Sequence, residues 1–231
     1  MKNKMLKQKL DKVFAEIKDG NNLGEPIHLV GATKMVDVAV INQAVEFGLK
    51  IVGENKVQEF RDKHLSIVGA DQHFIGHLQT NKVKYLVGNV SLIHSVDSIK
   101  LSAEIDKQAK KKNLVQKVLI EVNIGGELSK SGFSLEDAFD NVLAINKEFS
   151  NLKVVGLMAM LPHSDDNEFL ASLCKKMRHL YDALKKQGRP FEYLSMGMSN
   201  DYLIAIKNGS NMIRLGRTIF GQRIYQNIKE N

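Results

Sequence analysis

Tryptophan is absent from this chain of 231 residues, cysteine occurs once and proline three times. A lone cysteine, Cys174, cannot close an internal disulfide, which excludes a cross-linked secreted scaffold and points to a cytoplasmic setting. Cys174 falls in a helical pattern, where a packed and inert thiol is expected. So few prolines, with no low-complexity stretch, leave no evident linker, and a single domain over 1–231 is expected. No apolar run approaches the roughly 20 residues that cross a bilayer. The opening MKNKMLKQKLDKVFAEIKD is basic and lacks an apolar signal core. Its Leu6, Leu10, Val13, Phe14 and Ile17 recur at helical spacing, so residues 1–20 read as an amphipathic helix packed on the domain, not a targeting segment. A metal cluster is missing too. His73 and His77 lie on one strand-like run, about 13 Å apart at ~3.3 Å per residue, and cannot readily share an ion.

What is present in excess is positive charge, +7 from 33 Lys+Arg against 26 Asp+Glu. Much of it lies in Lys107, Lys110, Lys111 and Lys112 and in the stretch from Lys175 to Arg189, both helical in pattern. Solvated outer helix faces account for these charges better than a nucleic-acid site, because no aromatic stacking motif is interleaved with them. A basic surface also attracts small anions such as phosphates.

Strand-like runs occupy 27–34, 50–55, 73–77, 91–96, 117–124, 153–160, 191–197 and 211–215. Amphipathic stretches lie between them, near 37–48, 56–69, 80–88, 98–112, 134–149, 166–187 and 199–208. Regular alternation implies parallel strands with helical crossovers. Eight such units in a chain this size predict an α/β fold, a single (β/α)₈ TIM-type barrel with an additional N-terminal helix. The first turn, GATKMVD, is not the GxGxxG of an open dinucleotide-binding sheet.

Barrels of this kind keep their chemistry at the C-terminal ends of their strands. Strand 1 ends in Lys34, and a lysine desolvated in a barrel mouth can attack a carbonyl as a neutral amine; an exposed strand-end lysine is the plain alternative. Other rim candidates are Asn55, His77 and Asn123, with His77 open to a purely structural role. SMGMSND places Ser199 and Asn200 at the start of a helix, where N–H groups and a hydroxyl suit a phosphate, or where Ser199 is an ordinary N-cap. RLGRTIFG puts Gly216 at the end of strand 8, so that backbone N–H groups can approach an anion, with Arg214 two residues earlier on an inward phase. A phosphate site after strands 7 and 8 recurs in this fold. An amine on strand 1 facing such a cradle suits a phosphorylated aldehyde, and pyridoxal 5′-phosphate (PLP) is the obvious candidate.

ATK, GENKVQE, HFIGHLQTNK, EVNIGGELSKSGF, GLMAM, SMGMSND and RLGRTIFG follow one another at the expected strand ends. In these motifs the chain resembles the pyridoxal phosphate homeostasis proteins, small PLP-binding barrels similar to the barrel half of bacterial alanine racemases. The resemblance implies that Lys34 holds PLP as a Schiff base and that Ser199 and the N–H groups of Gly216 and Arg217 hold the phosphate. It also implies that Arg214 faces the pyridine nitrogen, that Asn55, His77 and Asn123 lie near the ring, and that Met198 lies against the phosphate loop. One departure is visible: Arg217 stands where the family usually carries a small hydroxyl residue.

The resemblance implies a carrier or buffer of PLP, with PLP-dependent apoenzymes as recipients; a monomer is expected because no exposed apolar stripe is evident in the sequence. The competing reading is a PLP-dependent racemase. Racemisation needs acid/base groups on both faces of the α-carbon. Racemases draw the second, a tyrosine, from an additional β-domain, which is not expected in a chain that ends soon after strand 8. Of Tyr85, Tyr181, Tyr193, Tyr202 and Tyr225, none falls at a clear rim position. A cofactor-free aldolase with a substrate-bound lysine is a third reading.

Overall fold

A computed structural model describes residues 2–127, 130–188 and 191–222. Arg189, at the end of the basic stretch, and Tyr225 lie outside the described residues.

Eight parallel strands close into a barrel in sequence order: β1 (His28–Ala32), β2 (Ile51–Glu54), β3 (Asp71–Phe74), β4 (Leu92–Val96), β5 (Gln116–Val122), β6 (Leu152–Ala159), β7 (Tyr193–Ser195) and β8 (Met212–Leu215). Closure is made by β1 against β8, in register from His28↔Met212 to Gly31↔Leu215. Every expected strand is present, with ends that shift by a few residues: β3, β5 and β6 begin one or two residues earlier than expected, and the others are trimmed. The first trim bears on Lys34: β1 stops at Ala32, not at residue 34. Thr33 turns its hydroxyl onto Gly53 O and Glu54 Oε1 at 3.1 and 2.9 Å, and Met35 takes a left-handed φ of 60°. Lys34 therefore sits in a turn just past the strand.

The helices follow the polar/apolar pattern where capping residues begin them. Asp37, Ser98, Ser134 and Asp166 cap α2 (Val38–Glu46), α4 (Ile99–Lys111), α5 (Leu135–Glu148) and α6 (Asn167–Lys186) by accepting a backbone N–H two or three residues on. The 56–69 stretch divides into α3 (Val57–Lys63) and a 3₁₀ turn over His64–Ser66. The 80–88 stretch is not an α-helix but a 3₁₀ segment, Thr80–Tyr85, where Thr80, Asn81 and Val83 are weak helix formers. In the 199–208 stretch α7 begins only at Tyr202 and ends at Lys207. Asp201 Oδ1 accepts Met198 N–H at 2.6 Å, which holds Met198–Asp201 as a turn ahead of the helix. A short α8 (Arg217–Phe220) follows β8.

Apolar side chains pack in two places. A shell between strands and helices holds most of the core, including Cys174, whose thiol is fully buried and pushed up to about 12 by burial first and by the negative Asp201 second. The barrel interior is filled by Val30, Ile75, Leu92, Leu119, Val155, Met158 and Met212. The N-terminal helix, α1 (Lys2–Ile17), buries Leu6, Leu10, Val13 and Ile17 against Ile41, Leu49, Leu215 and Ile219. The excess lysines of α4 and α6 (Lys107, Lys110, Lys111, Lys175, Lys176, Lys185 and Lys186) are exposed on the outer ring.

Candidate functional site

A cavity of about 900 Å³ opens over the strand ends, walled by Ala32, Asn55, Met198, Ser199, Asn200, Arg214, Gly216 and Arg217 on one side. The loop after β6, from Met160 to Asp165, and Lys130 form the other. Away from this cavity, ahead of β1, Glu25 takes a bidentate pair from Arg178 of α6 at 2.6 and 3.1 Å.

Arg214 is the cavity's deepest charge. It leaves β8 on the inward phase set by Met212, and the residue is 5% exposed. Nη1 donates to Ser195 O and Ser195 Oγ at 3.0 and 2.7 Å, and Nη2 donates to Ala159 O at 3.0 Å. Five N–H groups on a guanidinium and three protein acceptors leave donors toward the cavity, among the described contacts. Burial pushes its pKa down to about 10, against the pull of Glu121 and Asp201, so it stays cationic at neutral pH. Behind it, Ser195 Oγ lies 3.4 Å from His94 Nδ1, and His94 Nε2 lies 3.0 Å from His73 Nδ1. Burial holds both imidazoles neutral, His73 at about 3 and His94 well below its ordinary value. A hydroxyl that accepts from Arg214 is best oriented to donate to His94 Nδ1, which makes Nε2–H of His94 the donor to His73.

Two loops meet at Ser199 and Gly216. Ser199 Oγ accepts the N–H of Thr218 at 3.3 Å, and Arg217 Nη2 donates to Asn200 Oδ1 at 3.1 Å. The Arg217 side chain thus stays on the cavity wall and ties the loop after β7 to the turn after β8. Gly216 precedes α8, with its carbonyl taken by Ile219 and Phe220 N–H. Ser199 does not cap a helix, since α7 starts three residues later.

Of the sequence candidates, Asn55, Met198, Ser199, Arg214, Gly216 and Arg217 wall this cavity. Lys34 is not among the wall residues: it follows the wall residue Ala32 by two positions, half-buried in its turn. His77 is exposed, with Nδ1 3.4 Å from Asp97 Oδ2 and 3.3 Å from Ser131 Oγ. It walls a smaller neighbouring groove of about 230 Å³ with Asn55, Lys56, Arg61 and Lys82. Asn123 donates to Glu127 O and Lys130 O at 2.8 and 3.2 Å, which folds the loop after β5. Its Oδ1 is buried with no hydrogen-bond partner among the described residues. Asn55 is brought to the wall by a close approach: a Cβ at Gly76 would meet Asn55 O at 1.9 Å, so only glycine fits there.

Sequence reasoning missed Glu121, His94 and Ser195. Glu121 is 3% exposed and its carboxyl is pushed up to about 7, by burial first and by Asp97 second, while Arg214 opposes both. Its inward phase, two residues from Leu119, was the available signal.

The family description "Alanine racemase, N-terminal domain" matches residues 30–224. A pyridoxal phosphate homeostasis protein of Aquifex aeolicus is 45% identical over 203 residues, covering 85% of this chain and 87% of the relative. The Escherichia coli K12 protein of the same name is 32% identical over 225 residues, covering 95% and 96%. Among solved structures, PipY of Synechococcus elongatus with PLP bound superposes with a TM-score of 0.81 at 25% identity, covering 94% of this chain and 100% of PipY. An alanine racemase of Clostridium difficile gives a TM-score of 0.81 at 15% identity, covering 96% of this chain and 58% of the racemase, a likeness of fold. The chain belongs to the pyridoxal phosphate homeostasis protein family, built on the barrel of the alanine racemase N-terminal domain.

Proposed function

We propose that this protein binds PLP at the barrel mouth, held reversibly by Lys34, and serves PLP homeostasis as a carrier or buffer. The observation that carries the reading is the shared cavity wall of Arg214, Ser199, Gly216 and Arg217. PLP supplies an aldehyde open to reversible attack by an amine, on a ring with a basic nitrogen and a phosphate. The donor set suits each part. Arg214 offers N–H groups to a ring nitrogen and, being cationic, disfavours its protonation. The N–H groups of Gly216 and Arg217, the Ser199 hydroxyl and the Arg217 cation suit a phosphate dianion. Lys34, beside Ala32, supplies the amine, and Asn55 and Met198 bound the ring's space. His77 and Asn123 lie further out, and for them we propose a supporting role in shaping the rim loops.

Catalysis of amino-acid racemisation is the competing reading, and the tyrosines speak against it. None of the four described ones walls the cavity. Tyr202, the nearest in sequence to the site, donates its hydroxyl to Glu16 of α1 at 2.5 Å, and burial first and this bond second push its pKa up to about 12. Among the described residues, no tyrosine is thereby placed on the wall to face Lys34. The proposal extends to a monomeric unit over 1–231, working in the cytoplasm and passing PLP to apoenzymes. The test is to load the protein with PLP and follow two rates: exchange of the α-hydrogen of L- and D-alanine, and transfer of PLP to an apo-aminotransferase. The carrier reading expects transfer without exchange. Turnover of alanine on a minute timescale overturns it.

A further inference from the structure

The turn that carries Lys34 is gripped on both sides by α3. The peptide carbonyl before Lys34, Thr33 O, accepts from Lys63 Nζ at 3.1 Å. The peptide N–H after it, on Met35, donates to Glu59 Oε2 at 2.7 Å. The same ammonium donates to Glu59 Oε2 at 2.8 Å and to Glu54 Oε1 at 2.9 Å, so its three N–H groups have three acceptors. Glu54 closes the ring: its Oε1 also accepts the Thr33 hydroxyl, and its Oε2 accepts Asn55 N–H at 3.2 Å. The side chains of Lys63, Glu54 and Glu59 are 14%, 4% and 22% exposed, which puts this cluster largely out of reach of solvent screening. Burial disfavours both charges of the Lys63–Glu59 pair, but their mutual hydrogen bonds prevail, lowering Glu59 and raising Lys63. Met35 holds φ 60°, a region a side chain other than glycine keeps only where its surroundings over-determine it.

We propose that Glu59 and Lys63 are positioning residues for Lys34, fixing the two peptide planes on either side of its α-carbon so that the amine is presented to the barrel mouth in one orientation. The proposal rests on Lys34 as the residue that holds PLP. Neither residue walls the main cavity, so neither is placed to touch the ligand. The clamp explains why a polar triad is buried between β2 and α3, and why β1 ends two residues before Lys34.

The test uses Glu59→Ala in the full chain, with Glu59→Gln as the conservative partner, because glutamine keeps an oxygen for Met35 N–H. Three quantities are read: covalent capture of PLP at Lys34, trapped by borohydride and located by peptide mass spectrometry; affinity for 4-deoxypyridoxine 5′-phosphate, which has the ring and phosphate but no aldehyde; and hydrogen exchange of the Met35 amide. Loss of one charge-assisted bond predicts capture slowed about tenfold and Met35 exchange quickened about tenfold in Glu59→Ala. Affinity for the aldehyde-free analogue should stay within about twofold, and Glu59→Gln should recover most of the capture rate. Equal weakening of capture and analogue binding would mean a general loss of structure, and unchanged capture would mean no positioning; either overturns the proposal. Absence of capture at Lys34 in the unmodified protein instead overturns the reading of Lys34, while Met35 exchange still reports on the clamp. Should Glu59→Ala fail to fold, Glu59→Gln decides: near-normal capture with near-normal Met35 protection is expected, and slowed capture with Met35 still protected overturns the proposal.

Discussion

Replacing Arg214 by methionine separates ligand recognition from folding. Arg214 is almost wholly buried, and the drop of its pKa from 12.5 to about 10 corresponds to about 3 kcal/mol against the charged folded state. Removing the charge lifts that cost. It also strands the carbonyls of Ser195 and Ala159, each worth about 1–3 kcal/mol when buried and unpartnered. Ser195 Oγ keeps His94 as a partner, and methionine fills most of the vacated volume in an adaptable shape. The two effects oppose one another, so the ligand-free variant should unfold within about 3 kcal/mol of the parent, a Tm change of roughly 10 °C or less for a chain of this size. PLP binding has no such compensation. Loss of a charged donor to the ring nitrogen, about 1.5–3 kcal/mol, weakens Kd roughly 10- to 150-fold. Thermal unfolding without ligand and absorbance titration with PLP measure the two sides. A folded Arg214→Met protein with unchanged Kd would refute the placement of Arg214 against the ring.

Two further outcomes concern Glu121, buried beneath the cavity, and Arg217 on its wall. Because Glu121 has its pKa raised to about 7, the folded state keeps a proton that the unfolded chain gives up near 4.5; stability falls as pH rises from about 4.5 to 7, by about 3 kcal/mol, and is flat above. Glu121→Gln should remove that slope, and urea unfolding of both proteins at pH 5, 6, 7 and 8 giving parallel trends would refute it. Arg217→Ala keeps the backbone N–H but loses the cation and its tie to Asn200, so PLP affinity should fall less than about tenfold and become less sensitive to salt; Kd measured from low to high ionic strength checks this, and an unaltered salt dependence counts against a phosphate contact.

The barrel was legible because period-2 apolar runs alternate with capped amphipathic helices, a pattern that constrains eight units at once. Boundaries were less so. β1 stops at Ala32 because Thr33 finds side-chain and carbonyl partners on β2, a tertiary contact with no local signature. The helix expected to open at Ser199 starts instead at Tyr202, because Asp201 folds back onto Met198 N–H. That Ser199, Arg214, Gly216 and Arg217 share the cavity wall was readable from their positions on and after the last two strands. The support beneath them was not: Ser195 and His94 read as ordinary strand residues until the barrel brings β4 and β7 within hydrogen-bonding distance across its interior. Glu59 and Lys63 likewise look like an i,i+4 surface pair on α3, and only the fold turns them toward the Lys34 backbone.

Lys34 is the residue proposed to hold PLP at this mouth. Purified protein supplied with PLP, reduced with borohydride and mapped by peptide mass spectrometry tests it most directly, with the visible spectrum recorded before reduction. One equivalent of pyridoxyl label on Lys34 is predicted, along with a visible absorption band that Lys34→Ala abolishes. A band that survives in Lys34→Ala, or label located on another lysine of the wall such as Lys130, would contradict it.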